Sequence, residues 1–234
     1  MIGFGRFGKR NWEINSLSDK RLVKIDTTTE GFYDNVMRYS SKDADIRAFI
    51  RAVGEVQEVG VKPFYRPVMD PSFEDGNVVF RKWNKPAVGC SFNTWKQLAE
   101  EMPAVEGKKW QIGSEYQYYA FLTWLINQLV ATGQSIKGAI EAVVLDSKEL
   151  GHYRNAKNAL KDDFETTGSR EVCGVYDLVN TYKLLACSNE EIGGFWVAGG
   201  GYSNDSFNYP LADLLHQNYV KDYHSKGVGW LVAA

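Results

Sequence analysis

Residues 114–129 constrain the fold more than any other stretch. Ser114 and Gln117 have the S-x-x-Q spacing of a capping box, in which each side chain answers an orphan amide in the first turn of a helix. Tyr118, Phe121, Leu122, Leu125, Ile126 and Leu129 continue that helix, which breaks at Gly133. Apolar residues cover most of its circumference. Such a helix has to lie in the middle of the molecule, covered on more than one side. A chain of 234 residues that is 44% apolar and 14% aromatic can build a core around it. The length allows one large domain or two small ones.

Shorter signals flank this helix. Asp43 caps a short helix with Ile46, Phe49, Ile50 and Val53 on one face and Gly54 after it. Ser91 precedes FNTWKQLAEEM, where Phe92, Trp95, Leu98 and Ala99 share a helical face. Ile136–Val144 reads as a further helix, and residues 152–170 as an exposed connection. Residues 61–76 carry Pro63, Pro67 and Pro71 and end in Asp75-Gly76, which predicts an irregular loop. NVVFRKW (residues 77–83) predicts a strand. So do the Gly-flanked apolar runs in residues 173–186, 193–202 and 227–234. Two helices in mid-chain with short strands late in the chain point to an α+β fold.

Several function classes are disfavoured. The net charge of −2 lacks the basic excess of nucleic-acid binders, so no nucleic-acid partner is expected. Cys90, Cys173 and Cys187 are odd in number with no CxxC, which suits buried free thiols better than disulfides. His152, His216 and His224 lack H-x-x-x-H spacing, and no acidic cluster has calcium-ligand spacing, so no metal or other cofactor is expected. Gly3, Gly5 and Gly8 spell G-x-G-x-x-G, with Asp26 as a candidate ribose acid. Yet only Met1 and Ile2 stand where the motif needs a buried strand, and the helical periodicity after it is weak. MIGFGRFGKR lacks the apolar core of a signal peptide, and no apolar run reaches the roughly 18 residues of a membrane span. The expectation is synthesis in a cytoplasm, with later virion or cell-surface association left open.

The tail differs in kind from the rest. Between Tyr202 and Ser225, 16 of 24 residues are Tyr, Ser, Asn, Asp, His or Phe. That mixture matches an antibody paratope: rigid aromatics give contact area, and short polar groups give adaptable hydrogen bonds. Apolar, Gly-punctuated blocks stand on either side. The helical spacing of Leu211, Leu214 and Leu215 predicts a short buried turn within it. Asp177 reads as structural, holding a loop by hydrogen bonds.

Four blocks, in order, resemble the C-type-lectin-like fold of the formylglycine-generating-enzyme group. KPAVGCSFNTWKQLAEEM (residues 85–102) is similar to the group's P-V-x-x-V-S-W-x-x-A-x-x-Y, keeping Pro86 and Ser91, with Phe92 for the Trp. WQIGSEYQYYAFL (110–122) is similar to R-L-P-T-E-A-E-W-E-Y-A, with Ser114, Glu115 and Tyr118 for the Thr, Glu and Trp. GVYDLVNTYKLLA (174–186) resembles G-V-Y-D-L-x-G-N-V-W-E-W without its Trps. The last, GGGY through GVGWLVAA, resembles G-G-S-W…N-I-G-F-R-V-A, with Gly229 and Trp230 for Gly-Phe. The likeness implies two helices packed on short antiparallel sheets. It covers residues 85–234 and leaves 1–84 as an N-terminal extension packed on the core.

Two functional classes share that fold. The formylglycine-generating enzymes use a Cys pair near the C-terminus. Here Asn204 and Tyr209 occupy about those positions, and no Cys lies between Gly201 and Trp230. Relatives with an iron site take His residues from an added N-terminal domain, and residues 1–150 contain none. The resemblance therefore implies a protein that is not an enzyme. The better match is the variable proteins of diversity-generating retroelements, found in phages, bacteria and archaeal viruses. They display a diversified C-terminal region for ligand or receptor recognition, here about residues 196–230. Adenine mutagenesis of AAY codons reaches Tyr202, Ser203, Asn204, Asp205, Asn208, Tyr209, Asp213, His216, Asn218, Tyr219, Asp222, Tyr223, His224 and Ser225. It cannot produce Trp196 or Trp230, which with Gly199, Gly200 and Gly229 are the expected scaffold. The implied partner is a protein or other macromolecular ligand. A fold-related enzyme of unrecognised chemistry and a virion or prophage structural protein are the alternatives.

Overall fold

The computed structural model describes residues 13–151, 167–168, 171–179, 181–189, 191, 193–200, 206–217 and 227–234. The early elements are β1 (Leu22–Ile25), α1 (Asp34–Met37), α2 (Ala44–Val59), β2 (Phe64–Pro67), β3 (Ser72–Glu74) and β4 (Asn77–Val79). In mid-chain come α3 (Phe92–Glu101), β5 (Trp110–Ile112), α4 (Glu115–Ala131) and α5 (Ile136–Val144). The late strands are β6 (Glu171–Val172), β7 (Val175–Tyr176), β8 (Lys183–Ala186), β9 (Phe195–Ala198), β10 (Leu214–Gln217), β11 (Val228–Gly229) and β12 (Leu231–Ala233). The fold is α+β.

One four-stranded sheet has the order β1-β2-β12-β5 and a second has β10-β9-β8-β11; β3-β4 and β6-β7 are two-stranded. Pairing is antiparallel except between β11 and β8. Residues 13–84 supply two strands of the first sheet, and β2 pairs with both β1 and β12.

α4 is the central helix its pattern predicts. Ser114 Oγ accepts from Gln117 N at 3.3 Å, and Gln117 Oε1 accepts from Ser114 N at 3.0 Å. Phe121, Leu122, Leu125 and Ile126 are all buried, beneath α1, α2 and α5. Burial of each such side chain is worth about 1.5–3 kcal/mol. Ser114→Ala removes the cap and is expected to cost about 0.5–2 kcal/mol, read as a lower urea midpoint. An unchanged midpoint would show that packing alone sets the start of α4.

The last strands join the two sheets through Trp230. Its N–H donates to Leu184 O in β8 at 3.1 Å, and its carbonyl accepts from Gly113 N after β5 at 2.8 Å. The indole turns onto α4, with ring centroids 5.3 Å from Tyr118, 5.9 Å from Phe121 and 6.1 Å from Phe64. Gly113 lies so close beneath it that a Cβ there would stand 2.4 Å from the ring. A Cβ on Gly229 would stand 2.7 Å from the ring of Trp95, the buried centre of α3. Both glycines serve close approach of backbone to an aromatic ring.

Several expectations are corrected. Five helices are present among the described residues: the four expected from sequence, which exceed the two of the resembled fold, and the short α1. α2 runs through Gly54 to Val59 and stops at Gly60, whose left-handed φ of 70° lets the chain turn away. Residues 61–76 are not an irregular loop throughout: they hold β2 and β3, because Pro67 sits at the end of its strand, where a missing N–H is tolerated. The strand at 77–83 is confined to β4. Leu214 and Leu215 lie in β10 rather than a turn; Leu211 is buried, while strand alternation leaves Leu215 46% exposed. The glycine motif at Gly3, Gly5 and Gly8 and the stretch 152–166 lie outside the described residues.

Candidate functional site

Two helices present the same short pattern to one groove. Asp43 caps α2 by accepting from Asp45 N and Ile46 N, which sets Asp45 and Phe49 one turn apart on a shared face. The capping box of α4 does the same for Glu115 and Tyr119. Each helix thus offers a carboxylate one turn ahead of an aromatic ring, and the Phe49 and Tyr119 centroids lie 5.9 Å apart. Across from them stand Trp196 of β9 and the segment 207–214. The groove holds about 380 Å³ and is lined also by Ala48, Val144, Leu145, Phe207, Asn208, Pro210, Ala212, Asp213 and Leu214. Phe207 is 58% exposed at its rim.

The segment 206–213 is strapped to the helices. Ser206 Oγ donates to Asp146, Leu211 N donates to Ser147 Oγ at 3.0 Å, and Ala212 N donates to Val143 O at 3.1 Å. Tyr118 Oη donates to Leu211 O at 3.1 Å. Gly199, at φ 66°, donates its N–H to Asp213 O at 3.0 Å. That contact fixes the backbone of Asp213 against β9.

Charge in the groove is of one sign among the described residues: Asp45, Glu115 and Asp213 line it, and no Lys or Arg does. Burial, then the neighbouring Asp45 charge, raises the pKa of Asp213. Burial pushes Tyr119 up to about 12, with Glu115, Glu55 and Asp213 adding to the shift. Glu115 is held in place by Ser188, which donates both its N–H and its hydroxyl.

Of the residues expected to form the recognition surface, Asn208, Tyr209, Asp213 and His216 are described. Asn208 is exposed, Tyr209 and Asp213 are half-buried, and His216 lies in β10 opposite Trp196. Asn208 and Asp213 meet in the groove with Trp196. Tyr202, Ser203, Asn204, Asp205, Asn218, Tyr219, Asp222, Tyr223, His224 and Ser225 lie outside the described residues. Of the expected scaffold, Gly199, Gly200, Gly229 and Trp230 are buried and Trp196 is half-buried. Asp45, Phe49, Glu115 and Tyr119 were not legible as site residues. Their signal was the repeated acid-x-x-x-aromatic spacing, which only the facing of two helices makes meaningful.

A second polar cluster is buried elsewhere. Lys183 pairs with Asp70, each side chain being 3% exposed, and Thr181 Oγ1 donates to Asp70 at 2.9 Å. Asp177, at φ 55°, accepts from Asp70 N at 3.0 Å and from Gly168 N at 2.9 Å, which matches the structural role read from sequence. Burial and the nearby Asp70 raise its pKa to about 7, against the pull of those amides and of Lys183. Burial lowers the pKa of Lys183. The guanidinium of Arg66, also buried, sits 4.4 Å above the ring of Phe121. The space beside Arg66, Asp70 and Trp230 is about 10 Å³, too small for a substrate. This cluster ties residues 66–70 to 177–183.

Among the described residues no group of three or more His, Cys, Asp or Glu is placed to hold a metal ion, and no helix is long and apolar enough to cross a membrane. Cys90 is buried and its thiol is pushed up to about 11 by that burial, whereas Cys173 and Cys187 are only half-buried. No family model, curated protein or solved structure matches the chain.

Proposed function

We propose that this protein is a ligand-binding protein that displays a diversified C-terminal recognition surface on a C-type-lectin-like scaffold, without catalysis. The observation that carries the reading is how the polar, aromatic stretch is framed. β10 ends at Gln217 on one edge of the second sheet, and β11 begins at Val228 on the other edge. Three strand spacings, roughly 14 Å, separate the two edges. Between Gln217 and Val228 the chain thus passes from one edge of that sheet to the other. The short polar and aromatic side chains of this stretch are those that serve recognition well.

The scaffold reading is supported by α3 and α4 packing against two short sheets, with β12 between β2 and β5. Expected fixed positions suit it too. The backbone of Trp230 bonds to both sheets, and Gly229 leaves no room for a Cβ against Trp95. Diversification at Asn208, which is exposed, costs the core nothing, and the expected ligand is a macromolecule.

Sequencing the DNA around the gene tests this directly. A near-repeat of the codons for residues 196–230 beside a reverse-transcriptase gene is the expected result, with adenine-directed differences between the copies. If independent isolates keep residues 202–225 invariant while silent positions drift, the diversified-surface reading fails.

A further inference from the structure

We propose that the groove between α2, α4 and β9 takes a cationic side chain, an arginine guanidinium, from a protein partner. The inference rests on the recognition reading above and names the chemistry of one part of that surface. Asp45, Glu115 and Asp213 put three carboxylates around a space walled by Phe49, Tyr119 and Trp196. The first of these acids is exposed and the other two are half-buried.

Aromatic faces carry negative quadrupole density and attract a cation laid over them. Carboxylates beside those faces add direct ion pairing, and a planar guanidinium satisfies both demands at once. An ammonium fits less well, since it is more strongly hydrated and cannot stack. An anionic ligand would meet the like charge of Asp45, Glu115 and Asp213. The volume suits one extended side chain with part of its backbone, within the range of ordinary ligand pockets. After burial, the charge of Asp45 raises the pKa of Asp213, and among the described residues no Lys or Arg lines the groove. A guanidinium entering there relieves repulsion as well as forming contacts.

The probe is the blocked tripeptide Gly-Arg-Gly, titrated into the full chain at low salt and followed by amide NMR shifts. The control is the same peptide with citrulline, which keeps the shape and removes the charge. Saturable shifts centred on Asp45, Glu115, Tyr119 and Asp213, absent with citrulline, are expected. The double variant Asp45→Asn/Asp213→Asn is expected to keep a dispersed spectrum and to bind the Arg peptide about tenfold more weakly, equivalent to about 1.4 kcal/mol. Equal binding of the two peptides, or no saturable shift with either, overturns the proposal. So does unchanged affinity in the double variant. The two readings fail separately. A titrating groove without a template repeat in the DNA sinks only diversification, and a repeat with an inert groove sinks only the arginine site.

Discussion

Lys183→Met is expected to destabilise the protein by about 3–5 kcal/mol, the usual cost of removing one partner of a buried ion pair. The reason is what stays behind. Asp70 keeps its hydrogen bond from Thr181 and the more distant charge of Arg66 but loses its ion-pair partner, and Asp177 stands close enough to raise the repulsion. Neither acid can reach water, so neither can be solvated in compensation. Urea unfolding gives the loss as a shift in midpoint at constant slope. The double variant Lys183→Met/Asp70→Asn is expected to recover part of it, because an amide does not need a counterion and can still accept from Thr181. A single variant as stable as the parent would mean that the pair contributes nothing to the folded state.

Trp230→Ala is expected to cost a similar amount, about 3–5 kcal/mol, from lost burial and the cavity left behind. The ring fills the space between Phe64, Tyr118, Phe121 and the bare backbone of Gly113. Nothing nearby is free to collapse inward, since Phe64 is held in β2 and the other two rings in α4. Trp230→Phe is expected to cost less. Among the described residues the buried indole N–H has no hydrogen-bond partner, so the change forfeits volume alone. Thermal or urea unfolding of both variants separates the cases. If Phe is as damaging as Ala, buried volume is not what sets the cost.

The helices were largely legible in the chain because their determinants are local. The cap at Ser114, the face of Phe92, Trp95, Leu98 and Ala99, and the span of α5 each follow from contacts three or four residues apart. Even there, Gly54 misled. A glycine inside a helix only lowers its propensity, whereas this helix is ended by a left-handed residue, supplied six positions later by Gly60. Strands were read less well. β2 rests on Leu22 to Ile25 on one side and on Ala233 on the other, partners far away in the chain. Three prolines hid it, and no local pattern restored it.

By itself, then, the sequence determined the central helix and its cap, the α+β class, and the odd composition of the tail. Each of these depends on residue type and on neighbours within a turn or two. Only the tertiary structure decided that Asp70, Lys183 and Asp177 share one buried cluster. It alone brought Asp45, Glu115 and Asp213 to a single aromatic-walled groove. The segments concerned lie far apart along the chain. Their meeting is set by the register of β2, β8 and β9 and by the packing of α2 on α4, which no short window of sequence contains.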